Sequence, residues 1–527
     1  MNSRIAISLA AAALAACARE AVTPPPAIAP SEPSLVRQEA PLVPLRVGQP
    51  IPNQYIVVLQ DNADPTALTA SHALSPLRVY RSSIRGFAAA LNREQLDRIR
   101  RDGAVRYVEQ DGVVDALERA PATRSFGVQR QPPPSAESSQ ANPPWNLDRI
   151  DQPTGLNAGY TYTNDGKGVK VYVVGTGIRF THTEFDGVSA NRAKTGVDLI
   201  TPGGPAADCN GHSTHMAGTI GGTTSGVAKG VTLFSVRALD CAGTGTYSTL
   251  IAAVDWVTYN HLDPSVGHAT FGGLYSQALN DALTRSTLYG TLWVATAGSS
   301  SVDACNFSPG SAPLALTVSA SDMSDNRASF TNVGPCVDLY APGVNILSAT
   351  NTADNAYVVY SGSASASAHV VGLAALFLQT KPSATPTEVH DVLVLNAQPN
   401  VIIANPAGTA NRLANRQTGR CNVAGAYCTG VAGNQQFPVL NGSQFYLSGP
   451  GMQRGYLRGT PGTNFSLELY EWSGAVWVLR VSKATASTNE KIAFNSACAF
   501  GPANCFKMYK VKSATGTGSF DFWFDRQ

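Results

Sequence analysis

Residues 169–185, VKVYVVGTGIRFTHTEF, read as an apolar strand that runs into a Gly-rich turn at Gly175-Thr176-Gly177. An unbroken β-branched run marks a strand covered on both faces. Residues 291–298, TLWVATAG, repeat that signature, and the helical stretch STLIAAVDWVTYN, residues 248–260, lies between the two. Strands alternating with helices in this way predict an α/β fold, a parallel sheet with helices on both faces. In an open α/β sheet the functional site lies at the carboxyl ends of the strands. Gly175 ends one such strand and Ser299 follows another. Two further blocks are rich in small residues: DCNGHSTHMAGTIGG, residues 208–222, and YSGSASASAHVVGLAAL, residues 360–376.

The chain has 527 residues, 43% of them hydrophobic, enough for several domains including one large core. A net charge of +2 with scattered Lys and Arg excludes a nucleic-acid-binding face, so partners are recognised by shape and backbone pairing. Residues 1–17 read as an export signal, with Arg4 ahead of IAISLAAAALAAC, an apolar run too short to span a bilayer as a permanent helix. Residues 18–45, rich in Pro, Ala and Ser, are expected to be a disordered tether. Strand, helix and strand signals follow over 46–118, with Leu96 and Ile99 on one helical face, and a Pro-, Ser- and Gln-rich linker occupies 119–143. The main α/β domain is expected over 144–417. Residues 420–527 are aromatic and alternating, which argues a small C-terminal β-sandwich.

The order, spacing and Gly/Ala pattern of the quoted blocks resemble the subtilisin-like serine proteases (peptidase S8), closest to the proteinase K and aqualysin branch. Residues 46–118 resemble that family's inhibitor-type propeptide, a small α+β domain that caps the active site. The family carries its acid in DTG, its base at the first His of GHGTHVAG, its nucleophile in GTSMASPHVAG and an oxyanion-stabilising Asn in AAGN. Aligned without gaps, the acid position is Gly175, the base is His212, the nucleophile position is Ala364 and the oxyanion position is Ser299. His215 and His369 fall on framework positions. Leu14-Ala15-Ala16-Cys17, at the end of the export signal, resembles a bacterial lipobox, with Cys17 acylated and the protein lipid-anchored at the cell envelope, or else secreted after ordinary signal cleavage. Setting Cys17 aside leaves eight cysteines, an even set suited to an oxidising compartment. Cys209–Cys241 and Cys305–Cys336 match two disulfides of the aqualysin-like enzymes, each closing a loop of about 30 residues worth roughly 3–4 kcal/mol. Pairing among Cys421, Cys428, Cys498 and Cys505 stays open, and irregular spacing without His partners argues against zinc.

Acyl transfer needs a hydroxyl nucleophile, a His to take its proton, an acid to orient the His, and oxyanion donors. Ala364 offers a methyl group and Gly175 offers no side chain. Measured in subtilisin itself, loss of the Ser or His costs about 2 × 10⁶ in kcat and loss of the acid about 3 × 10⁴. The expectation is therefore an exported pseudoprotease. The alternative is an active serine endopeptidase with a relocated Ser363 or Ser365 nucleophile and an acid drawn from Asp186 or Asp208. His212 is read either as a retained base or as a buried polar residue held by a backbone carbonyl. Gly243-Thr244-Gly245 and Thr270-Phe271-Gly272 match the two strands that sandwich an extended peptide in the family, Phe271 and Leu274 narrowing its pockets. The expected partners are an extended peptide or protein segment and the chain's own propeptide, with membrane contact only through the lipid. Asp338, with the carbonyls of Pro313 and Ala315, matches a structural calcium position, the competing reading being an exposed loop Asp.

Overall fold

The computed structural model describes residues 39–44, 49–116, 138–187 and 191–416, and within 430–526 it describes backbone strands alone. The signal segment, Cys17, the cysteines Cys421, Cys428, Cys498 and Cys505, and most of the tether and linker lie outside the described residues.

The propeptide-like region runs β1 (Pro50–Leu59), α1 (Pro65–Ser71), β2 (Arg78–Tyr80), β3 (Gly86–Ala90), α2 (Arg93–Arg100) and β4 (Val105–Ala116). Its antiparallel strands lie in the order β4-β1-β3-β2. Asn92 and Gln95 form a reciprocal capping box that starts α2, and Leu96 and Ile99 bury the apolar face expected of it. These two join Val57, Phe87 and Val108 in one core, while Ile56, Val58, Tyr80 and Tyr107 on the opposite sheet face join a second core with the main domain.

That domain centres on β5 (Lys170–Gly175), whose Val171, Val173 and Val174 are buried on both faces, as its β-branched run requires. The elements that follow are β6 (Ala193–Asp198), α3 (His212–Gly221), β7 (Thr232–Arg237), β8 (Thr244–Thr246) and α4 (Tyr247–Asn260). Then come β9 (Ser265–Ala269), β10 (Phe271–Leu274), α5 (Gln277–Leu288), β11 (Leu292–Thr296), β12 (Leu316–Ser321) and β13 (Leu339–Pro342). The last are α6 (Ser363–Thr380), α7 (Pro386–Asn396), β14 (Gln398–Pro399) and β15 (Arg412–Leu413). The central sheet has nine strands in the order β14-β15-β13-β12-β11-β9-β5-β7-β6, all pairs parallel except β14 with β15. Helix α6 is buried over most of its length, because its first turns are Ser and Ala and can pack directly against the sheet. The carboxyl ends of β5, β9 and β11 thus bring Gly175, Thr270 and the 297–299 turn together with the first turns of α3 and α6.

The strands within 430–526 form two antiparallel sheets, one pairing Gly451–Gly459 with Asn489–Ser496 and Ser519–Arg526, the other pairing Asn464–Trp472 with Trp477–Ala484 and Phe506–Thr515.

Candidate active site

Gly175 closes β5 where the family pattern has its acid. A Cβ built on Gly175 would lie 2.1 Å from Ser213 Oγ and 2.6 Å from Thr270 Oγ1. Both hydroxyls are fully buried and engaged. Ser213 Oγ accepts the Thr176 N–H at 2.8 Å, Thr176 Oγ1 accepts the Ser213 N–H at 3.1 Å, and Thr270 Oγ1 donates to the Val174 carbonyl at 2.7 Å. The family pattern GHGTHVAG has Gly where this chain has Ser213. The missing acid and the added hydroxyl therefore belong together: Ser213 fills the volume that the β-carbon of an acid would need. The sequence displays this substitution, but only packing reveals its consequence.

His212 opens α3 behind Gly211, an N-cap in the left-handed region at φ 109°, which suits glycine. The imidazole is buried at 3% exposure. Burial pushes its pKa down to about 4, against an opposing pull from Asp208, so the ring is neutral at pH 7. Asp208 caps the same helix end, accepting N–H bonds from Asn210, Gly211 and Thr214 and the Thr214 hydroxyl at 2.6 Å. Asp186 holds Arg192 at 2.5 Å. Both carboxylates raised as substitute acids are thus committed to local structure.

Ala364, the second residue of α6, is fully buried within the main core. Its neighbour Ser363 is tied to the oxyanion turn: Ser363 Oγ lies 2.5 Å from Thr296 Oγ1 and 3.1 Å from Ser299 Oγ, and accepts the Gly298 N–H at 3.1 Å. Ser299 Oγ in turn accepts the Ser363 N–H at 3.2 Å. The hydroxyl at the oxyanion position is consequently spent on joining the turn to the start of α6. Asn332, not singled out from the sequence, holds the turn, donating to the Ala297 carbonyl at 2.9 Å and accepting the Ser300 and Val302 N–H groups.

The remaining histidines in the region sit in fixed hydrogen bonds. His215 Nε2 contacts the Ile346 carbonyl and its ring stacks on Tyr360 at 4.5 Å. His369 bridges the Ser365 carbonyl and Asn146. His268, which no sequence motif singled out, lies fully buried with Nε2 2.8 Å from Ser367 Oγ.

Both expected peptidase-domain disulfides are formed, Cys209–Cys241 and Cys305–Cys336. The first joins the loop ahead of His212 to the loop ahead of β8. The peptide groove is occupied by the chain itself. The end of β4 pairs antiparallel with β8, placing Thr244, Gly245 and Thr246 opposite Asp115, Val114 and Val113. On its other edge Phe271 and Gly272 of β10 stand opposite Ala116 and Asp115, and the Ala116 N–H reaches the Gly243 carbonyl at 2.8 Å. With the propeptide strand in place Phe271 is fully buried, in the core that α4 and α5 share with the propeptide.

Two propeptide carboxylates brace this strand against helix N-termini, where free N–H groups await acceptors. Glu109 accepts from Ser276 Oγ and, at 2.8 Å, from the Ala278 N–H at the start of α5. Asp111 accepts the Ser248 N–H at 3.1 Å in the first turn of α4. Burial raises both pKa values, Glu109 to about 7, although the hydrogen bonds pull the other way.

The carboxylate at the expected calcium position is engaged by the chain itself. Asp338 Oδ2 accepts the Thr317 N–H at 2.8 Å, and Oδ1 faces His390 Nε2 at 3.8 Å. Burial alone would lower the His390 pKa, but its contacts with Asp338 and Asp391 outweigh burial and push it up to about 10. Both oxygens of the one carboxylate of the set thus already face partners from the chain, the Thr317 N–H and His390 Nε2. Among the described residues no group of three or more His, Cys, Asp or Glu is placed to hold a metal.

Among the described residues no helix is long and apolar enough to cross a membrane. Comparison with known proteins agrees with the geometry. The Subtilase family (Peptidase_S8) matches residues 166–422, and Peptidase inhibitor I9 matches residues 54–116. An extracellular serine proteinase of Thermus sp. (strain Rt41A) is 44% identical over 396 residues, covering 70% of this chain and 91% of that protein. Alkaline serine exoprotease A of Vibrio alginolyticus is 41% identical over 336 residues, covering 64% of this chain and 59% of that protein. Among solved structures, a cold adapted subtilisin-like serine proteinase superposes with a TM-score of 0.51 at 42% identity, covering 53% of this chain and all of that one. With a family model over residues 166–422 and a relative 44% identical across 70% of its length, the chain belongs to the subtilase family.

Proposed function

We propose that this chain is an exported, lipid-anchored pseudoprotease: a subtilase that binds extended polypeptide without hydrolysing it. The observation that carries the reading is the pairing of Gly175 with Ser213, since the hydroxyl occupies the place of the acid's β-carbon. Ala364 adds to it, because a methyl group cannot form an acyl-enzyme. The groove strands Thr244–Thr246 and Phe271–Leu274 keep their backbone pairing capacity, now used by residues 113–116 of the propeptide. The protein's role is then to hold an extended segment, its own propeptide first, and to carry the C-terminal strands as a β-sandwich module.

The test is reconstruction of the catalytic set. The parent chain, made in a protease-deficient host, is expected to show a single uncut mass and no hydrolysis of an internally quenched extended peptide. Restoring Gly175→Asp, Ala364→Ser and Ser299→Asn without relieving Ser213 is expected to leave it inactive. Adding Ser213→Gly is expected to produce peptide hydrolysis and cleavage within the linker at 119–143. Hydrolysis by the parent that disappears with His212→Ala or Ser363→Ala would overturn the proposal and establish a relocated serine endopeptidase.

A further inference from the structure

A cavity of about 450 Å³ lies at the seam between the propeptide and the peptidase domain. One wall comes from β1, β4 and the loop before β3, the other from α5 and Tyr289 just beyond it. Three guanidinium groups line it: Arg85 and Arg106 from the propeptide and Arg285 from α5. Two are matched across the seam, Arg106 by Asp281 and Arg285 by Asp61. Asp281 is saturated, since it also accepts from Tyr107 Oη at 2.8 Å and Gln277 Nε2 at 2.6 Å. Arg285, by hydrogen bond and charge, holds Asp61 below the usual carboxylate range. Arg85 makes no side-chain hydrogen bond or ion pair among the described residues, so the cavity carries one surplus positive charge. Its floor is apolar, with Leu59 and Ile84 buried, while Leu288 at 74% and Tyr289 at 57% exposure form a bare apolar lip.

We infer that this cavity binds an amphipathic monoanion: a carboxylate on an aromatic or branched aliphatic body of about amino-acid size. The volume falls in the range of small-ligand pockets, which pair apolar walls with a few placed polar groups. A single unmatched guanidinium suits a planar carboxylate, whose two oxygens match its donor fork, whereas a dianionic phosphate would leave a net negative charge. The exposed Leu288 and Tyr289 gain a cover when the ligand's apolar body lies over them. Because the walls belong to two domains, the ligand joins them and favours the docked propeptide, and by reciprocity docking creates the site.

The experiment uses the full chain with its propeptide uncut, verified by intact mass, and titrates N-acetyl-L-phenylalanine in a calorimeter. The expected result is saturable binding at one site per chain, at least roughly tenfold weaker for the uncharged N-acetyl-L-phenylalaninamide. Arg85→Gln is expected to weaken binding by a similar factor while Arg85→Lys retains part of it, with both variants melting at the parent's temperature. A hexapeptide with a free C-terminal Phe serves as a second arm. Tighter binding of the peptide identifies a polypeptide C-terminus as the source of the carboxylate, and equal or weaker binding identifies a free small acid. Equal binding of acid and amide, absence of saturation, or an unchanged affinity in Arg85→Gln would overturn the inference. The readout is binding, so the result is independent of whether the chain hydrolyses peptides.

Discussion

Gly175 and Ser213 are each a small change, and their effect lies in the contact between them. A Cβ 2.1 Å from Ser213 Oγ and 2.6 Å from Thr270 Oγ1 forces these buried hydroxyls out of their hydrogen bonds with the Thr176 N–H and the Val174 carbonyl. Gly175→Asp by itself is therefore expected to destabilise the fold by about 1–3 kcal/mol, as overpacked cores do. Combining it with Ser213→Gly should recover most of that loss, a coupling that a double-mutant cycle by denaturant unfolding would measure. Additive effects of the two substitutions would mean that Ser213 does not fill the acid's place. The identities of Gly175, Ala364 and Ser299 were legible from motif register alone. The contact was not, since it joins the end of a strand to the start of a helix distant in sequence. Asn332 was missed for the same reason: nothing in its local sequence announces that it supports the 297–302 turn.

At the scale of elements, β4 is the joint between the two domains, and its carboxylates give that joint a pH dependence. Glu109 stands near 7 when docked against an ordinary value of 4.5, burial being the cause. A raised acid pKa means that the docked state holds the proton more tightly than the undocked one. Docking is thus strongest below about pH 4.5, weakens as pH rises towards 7, and levels off above it, a difference on the order of 3 kcal/mol. Glu109→Gln, neutral throughout, is expected to flatten much of this dependence, with buried Asp111 supplying the remainder. Thermal unfolding of parent and variant between about pH 5 and 8 checks the sign, and a parent that gains stability relative to the variant as pH rises would contradict it. A second element-level constraint is the Cys209–Cys241 bridge, with its sequence separation of 32. Replacing both cysteines by Ser is expected to cost about 3–4 kcal/mol in a denaturant titration.

For the whole molecule, Asp338 is engaged by the chain itself, through the Thr317 N–H and His390 on α7. Chelation with excess EDTA is therefore expected to leave the melting temperature unchanged, and a drop reversed by calcium would restore the metal assignment. The parallel sheet with helices on both faces followed from periodicity, because long apolar β-branched runs have few other places to go, whereas the groove strands and the capping propeptide followed from the family resemblance. The neighbour of Asp338 was not legible in its own loop, because His390 comes from a later helix.

The sequence by itself determined the family, the identity of the residues at the family's catalytic positions and the disulfide framework of the peptidase domain. Those properties reside in local patterns and in their order along the chain. Only the tertiary structure decided that Ser213 closes the space left by the acid and that residues 113–116 are the propeptide segment paired with the groove strands. It alone gathered Arg85, Arg106 and Arg285 around one cavity. Each of these depends on which atoms share a volume of a few ångströms, and the one-dimensional pattern does not specify that when the partners lie on different elements.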